Sequence, residues 1–93
     1  MFSIKPVQVK VFDQDLTVKP LPVTRMLVYR NDYNAINDED VAGILALMQR
    51  LIVEVVVHPV LTVKELDEMG QANLKTLFDA VAVGCGLVPE KNV

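Results

Sequence analysis

The sequence predicts an α+β fold, an N-terminal β-hairpin packed on a bundle of three to four helices. Three observations carry that expectation. Val7, Val9 and Val11 alternate with Gln8 and Lys10, and the alternation resumes in Leu16-Thr17-Val18-Lys19, the period of a half-buried strand on each side of a short polar turn. From residue 41 onward, apolar residues recur at intervals of three and four, the period of a helix. With 93 residues, the chain has room for one domain and one core. The expected division is a hairpin over 6–20, a helical part over 22–87 and a flexible polar tail over 88–93.

In order along the chain, the hairpin turn is expected at Asp13-Gln14-Asp15. A hairpin alone is marginal in water, so its apolar face must rest on something else. Pro20 and Pro22 close the second strand, and a helix can begin at Pro22 or Thr24, with an indistinct apolar stripe through Leu27, Tyr29, Arg30 and Tyr33. Asn34 to Asp38 reads as a loop. Asp38 is the expected N-cap of a second helix, and Glu39 and Asp40 place negative charge in its first turn, where the helix dipole favours it.

That second helix is the most apolar stretch of the chain. Val41, Ile44, Leu45, Met48, Leu51, Ile52, Val55 and Val56 share one face of it. The helix is expected to run to His58, because branched side chains lower helix propensity by only roughly a few tenths of a kcal/mol each. Pro59 then disfavours the α conformation at His58. Thr62-Val63-Lys64-Glu65 is a capping box for a third helix, with Leu61 and Leu66 placed as its hydrophobic staple. Gly70 ends or bends that helix. Leu74, Leu77, Phe78, Val81, Ala82 and Cys85 mark the face of a final one, closed by Gly84 or Gly86.

Composition removes several classes of function. The net charge is −3 and the Lys and Arg residues are scattered, whereas binding to phosphates needs a clustered basic face, so nucleic acid is not an expected partner. Gln49, Arg50, Glu54 and His58 interrupt the longest apolar run below the ~18 residues of a membrane span, so no membrane is expected. A single cysteine cannot form an internal disulfide, and Cys85 sits in an apolar stretch where a buried thiol is the common outcome. With no apolar leader-like run in MFSIKPVQ, a cytoplasmic location is expected.

Catalytic chemistry has little to work with. The candidates for nucleophile and base are Cys85 and His58, but Cys85 reads as core and His58 as a helix C-terminal cap. Asp67 and Glu68 beside Glu65 read as a solvated helix face. One His and one Cys form no metal cluster of recognisable spacing, and Gly84-Cys85-Gly86 is not followed by the Lys-Ser/Thr of a phosphate loop. The chain is therefore expected not to be an enzyme, and no cofactor is implied.

What the chain has in excess is apolar surface, at 52% of its residues. On a helical wheel, the core stripe of the second helix is centred near Val41, Met48 and Val55, while Ala46, Val53 and Val57 fall on the opposite side. Either the hairpin and the other helices cover all of this, or part of it meets another chain. The candidate partner-facing residues are Leu47, Arg50, Val53 and Val57.

A hairpin, a Pro-Leu-Pro-Val-Thr junction into a helix, a long apolar helix ended by His-Pro, and the phrase PVLTVKELDEM follow one another along most of the chain. In this order they resemble the small tail assembly chaperones of long-tailed bacteriophages. The resemblance implies a non-enzymatic protein in the bacterial host cytoplasm that self-associates and binds the tape measure protein. It would keep that client soluble while tail tube protein subunits assemble around it. It also implies a longer frameshifted product. Glu90-Lys91-Asn92 can be encoded GAA AAA AAC, which contains a slippery string, or it can be an ordinary polar tail. The alternative class is a structural virion component of the head–tail junction or tail, using the same surface in a permanent oligomer. A small regulatory adaptor that binds nucleic acid is disfavoured by the acidic charge.

Overall fold

Strand alternation brings the first two elements together in the structure, a computed structural model that describes residues 5–87. β1 (Val7–Val11) and β2 (Gln14–Val18) pair antiparallel from Val7↔Val18 to Val11↔Gln14. The turn is two residues long, Phe12 and Asp13, with φ of 53° and 57°. It does not occupy Asp13-Gln14-Asp15, because a two-residue loop with positive φ at both positions matches the right-handed twist of the strands. Gln14 is thereby drawn into the ladder. Val9, Val11, Leu16 and Val18 face the core, while Gln8, Lys10, Asp15 and Thr17 face away, and the Gln8 amide donates to the Thr17 hydroxyl at 3.0 Å.

α1 (Val23–Ala35) starts directly after Pro22 and continues through Asn34, so the loop is shorter than the expected Asn34–Asp38 and begins at Ile36. In that loop, the Asn37 side chain accepts from the Glu39 N–H at 3.0 Å. The N-cap of α2 (Val41–Val55) is Asp40, whose carboxylate accepts from the Gly43 N–H at 3.0 Å. Asp38 therefore lies in the turn and does not cap. Asn37 folds the turn back on itself, which leaves Asp40 as the carboxylate three residues before a free N–H.

The largest difference from expectation lies at the end of α2. The helix stops at Val55, and Val56–His58 form a third strand, β3, against β2. Here the branched residues favour the strand, because β2 has an open edge that satisfies their backbone groups: Thr17 pairs with His58, Val18 pairs with Val56, and the Lys19 N–H donates to the Val55 carbonyl at 2.9 Å. His58 thus caps no helix. The last turn of α2 is closed by Val56, whose N–H donates to the Ile52 carbonyl. The register shifts between Thr17 and Val18, which leaves Val57 without a pair and exposed. The His58–Pro59 peptide is cis.

α3 (Val63–Glu68) begins at the expected cap: the Thr62 hydroxyl accepts from the Glu65 N–H at 3.3 Å and donates to the Glu65 carboxylate at 3.1 Å. Leu66 is fully buried and Leu61 packs against the core. Gly70 separates α3 from α4 (Gln71–Cys85), and Gly86, with φ of 88°, closes α4 in the left-handed conformation. The arrangement is α+β, with a β1-β2-β3 antiparallel sheet and four helices. The expected tail over 88–93, with Glu90-Lys91-Asn92, lies outside the described residues.

The sheet rests on the C-terminal part of α4. Gly84 makes this approach possible, since a Cβ there would stand 2.5 Å from a methyl of Val9. The ends of α2 and α4 are both tied to the exit of β2, by Lys19 N–H to the Val55 carbonyl and Leu21 N–H to the Cys85 carbonyl, each at 2.9 Å. The two helices therefore lie side by side in the same sense, with the sheet covering one end of the pair. No helix among the described residues is long and apolar enough to cross a membrane.

Candidate functional site

The apolar stripe of α2 has two environments. Leu51, Ile52 and Val55, toward the end of α2 that runs into β3, are 0% exposed. Val41, at the start of the same stripe, is 48% exposed, and Ile44, Leu45 and Met48 are half-buried. These four form the floor of a groove of about 660 Å³ that opens where the sheet does not reach. Tyr33 of α1 and Phe78 of α4 stand on its two sides. Asn34 and Arg30 continue the α1 rim, and Gln71, Lys75 and Asp79 the α4 rim. The size is that of a ligand pocket, and the lining is mainly apolar with polar margins.

α1 is held to α2 mostly by polar groups, since Tyr29 is its one buried residue. The Tyr29 hydroxyl donates to Glu54 at 2.7 Å, and Arg25 binds the same carboxylate with two N–H groups, at 2.7 and 3.2 Å. The Arg25 and Arg50 guanidinium groups lie 5.5 and 5.3 Å from the centre of the Tyr29 ring, within cation–π range. Arg50 also pairs with Asp32 at 3.1 Å. The hydrogen bonds from Arg25 hold the Glu54 carboxyl below the ordinary glutamate range, and they keep Arg25 more firmly charged. Burial, followed by the bond to Glu54, pushes the Tyr29 hydroxyl up. The clamp fixes one wall of the groove at one height on α2.

Of the sequence-predicted partner residues, Leu47 is 5% exposed and packs in the core, and it also lines the inner wall of the groove. Tyr29 of α1 lines the groove beside it. Arg50 is exposed but engaged with Asp32 and Tyr29. Val53 and Val57 are half exposed, one on α2 and the other at the bulge of β3, and neither lines the groove. Tyr33, Ile44, Leu45, Met48 and Phe78 line the groove without being marked as partner-facing by the sequence pattern. Their signal was present in part, since the α2 stripe extends beyond what a short hairpin can cover, but the sequence did not say which end stays open.

The candidates for chemistry fall in different settings. Cys85 is buried, its thiol faces the Ala82 carbonyl, and burial pushes its pKa up, away from a reactive thiolate. His58 is exposed on β3, and Glu65, Asp67 and Glu68 are exposed on α3. Among the described residues, no group of three or more His, Cys, Asp or Glu is placed to hold a metal ion. No family model matches the chain, and neither a curated protein nor a solved structure matches it.

Proposed function

We propose that this chain is a non-enzymatic binding module that holds an apolar helical segment of another protein in the groove between α1, α2 and α4. The observation that supports this reading is the open half of the α2 stripe, a continuous apolar floor flanked by Tyr33 and Phe78 and set in a polar rim. A groove of this form takes the apolar side chains of an amphipathic helix at i, i+3, i+4 and i+7. Together with the layout of the chain, this is the basis for reading it as a tail assembly chaperone whose client is the tape measure protein of a long-tailed phage. Binding would then proceed in the host cytoplasm without a cofactor. The holdase role follows from linkage, because occupying the groove removes apolar surface of both partners from water.

The experiment is co-expression with the tape measure protein, reading the soluble fraction of the client. Tyr33→Asp with Val41→Asp alters the exposed ends of the groove and is expected to abolish the rescue while the chain stays folded. Full rescue by this double variant would sink the groove as the client site. Loss of rescue by Val53→Asp with Val57→Asp would then move the client to the far side of α2 and the β3 bulge. Recovery of the chain from purified mature particles would instead favour a permanent structural component of the virion.

A further inference from the structure

We infer that the helix held in the groove carries an acidic residue on the flank that meets α1, and that Arg30 is the group that reads it. This rests on the groove being the partner site. The chain has three arginines, and two of them are matched to carboxylates within the fold, Arg25 to Glu54 and Arg50 to Asp32. Arg30 is different. It is exposed on the α1 rim of the groove, and its hydrogen bond goes to a neutral acceptor, the Leu87 carbonyl at 3.0 Å. Among the described residues no carboxylate pairs with it. One N–H is used, so most of the five guanidinium donors remain, in a planar fork that matches a carboxylate.

The opposite rim is electrically closed. Lys75 and Asp79 of α4 neutralise each other at 3.2 Å, one helical turn apart. The groove therefore presents a cation on its α1 side and no net charge on its α4 side, in a chain whose net charge is −3. An acidic flank toward α1 gains attraction there, whereas a basic flank meets repulsion. The contact also has length. Val23, Leu27, Arg30 and Asn34 lie on one stripe of α1, and Val23 and Leu27 are well exposed, so the apolar margin continues beyond Arg30. From Val23 to Asn34 the stripe spans roughly 16 Å, enough to accompany about three turns of a helical partner.

The test uses two synthetic amphipathic peptides with the same apolar face, one with Glu and one with Lys at the flanking positions, titrated by fluorescence anisotropy into the full chain. The Glu peptide is expected to bind about five- to tenfold tighter, with the difference shrinking at high salt. Arg30→Glu should reverse the preference. Arg30→Gln should erase it without abolishing binding, and circular dichroism reports whether each variant is folded. Equal binding of both peptides to the parent chain overturns the role of Arg30 and leaves the groove standing. If neither peptide binds, while Tyr33→Asp with Val41→Asp still loses rescue of the tape measure protein, the flank rule is overturned without touching the client site. If that rescue is unaffected too, both readings fail together.

Discussion

The two ends of α2 carry similar side chains on the same stripe and meet different surroundings. Leu51, Ile52 and Val55 are fully buried at the end of α2 that is pinned to β2 by the Lys19–Val55 hydrogen bond, next to the sheet that presses against α4 at Gly84. Among the described residues, Val41, Ile44, Leu45 and Met48 lie between α1 and α4, and Leu45 also faces Leu66 and Asp67 of α3. The difference is one of coverage and not of hydrophobicity. No residue of β1, β2 or β3 lines the groove, so the sheet leaves this end of the apolar stripe uncovered. One end of the stripe is thereby closed in the fold, and the other stays partly exposed.

The largest effect should come from truncating the two ends separately. Leu51→Ala removes a fully enclosed side chain and is expected to cost about 2–5 kcal/mol, since the closed site cannot collapse around the cavity. Leu45→Ala, on the groove floor, should cost about 1 kcal/mol, because part of that side chain already faces solvent. Urea denaturation of both variants checks this. Equal losses would mean that the groove end is closed in solution, by self-association or by another part of the chain.

Gly84→Ala tests what brings the cover into place. The added Cβ would meet Val9 at 2.5 Å, so either the hairpin or the end of α4 must shift. Overpacking of this kind costs about 1–3 kcal/mol. The signature expected in amide hydrogen exchange is loss of protection in β1 and β2, with the N-terminal half of α2 unaffected. Unchanged protection of the strands would show that the sheet is not held by that close approach.

Much of this division could be read from the amino acids, for physical reasons that differ by element. The face of α4, the Thr62 cap and the alternating strands are set by local periodicity and by groups a few residues apart, so Leu74, Leu77, Val81, Ala82 and Cys85 are buried as their spacing requires. Val56–His58 could not be assigned in that way. Its branched residues suit helix and strand alike, and what decides between them is the free edge of β2, some forty positions earlier in the chain. The hairpin turn falls at Phe12-Asp13, one residue before the polar run suggests, a position the sequence does not mark because Phe12 is a rare occupant of positive φ, which asparagine or glycine usually fills. The groove was missed for a related reason. Apolar excess is visible in composition, but which part of it stays uncovered depends on how the other elements come to rest on α2, and of the residues singled out as partner-facing only Leu47 lines the groove.

The α1 wall should respond to acid more than the buried end does. The Glu54 carboxyl titrates below its ordinary value near 4.5 when folded, so between the two values the unfolded chain binds more protons than the folded one. The stability this contributes is complete above the ordinary value and is lost as pH falls through the folded one. As pH falls below about 4.5, stability of the parent chain is expected to drop more steeply than that of Glu54→Gln. At neutral pH, Glu54→Ala should cost about 1–3 kcal/mol, because the mostly buried Tyr29 hydroxyl loses its acceptor. Parallel acid profiles for parent and Glu54→Gln would remove the clamp as the source of the slope.

The smallest effects on folding are expected at exposed valines, and they separate the two candidate surfaces most cleanly. Val41 is 48% exposed on the groove floor, and Val53 and Val57 are comparably exposed outside it. Val41→Asp, at the first residue of α2, also places a carboxylate where the helix dipole favours one. Val53→Asp with Val57→Asp interrupts no helix cap and removes no buried group, since Val57 stands unpaired at the bulge. Each change should therefore shift folding stability by no more than about 0.5 kcal/mol. Any large change in association then belongs to the surface itself. Sedimentation of the parent and both variants reads self-association, and client rescue reads the groove, so the two measurements assign the two faces independently. If Val53→Asp with Val57→Asp dissociates the oligomer and leaves rescue intact, while Val41→Asp does the reverse, the chain uses the far side of α2 for its own copies and the open end of the stripe for its client. If Val41→Asp alone dissociates the oligomer, the groove is filled by a second copy, and the partner that completes the stripe is the chain itself.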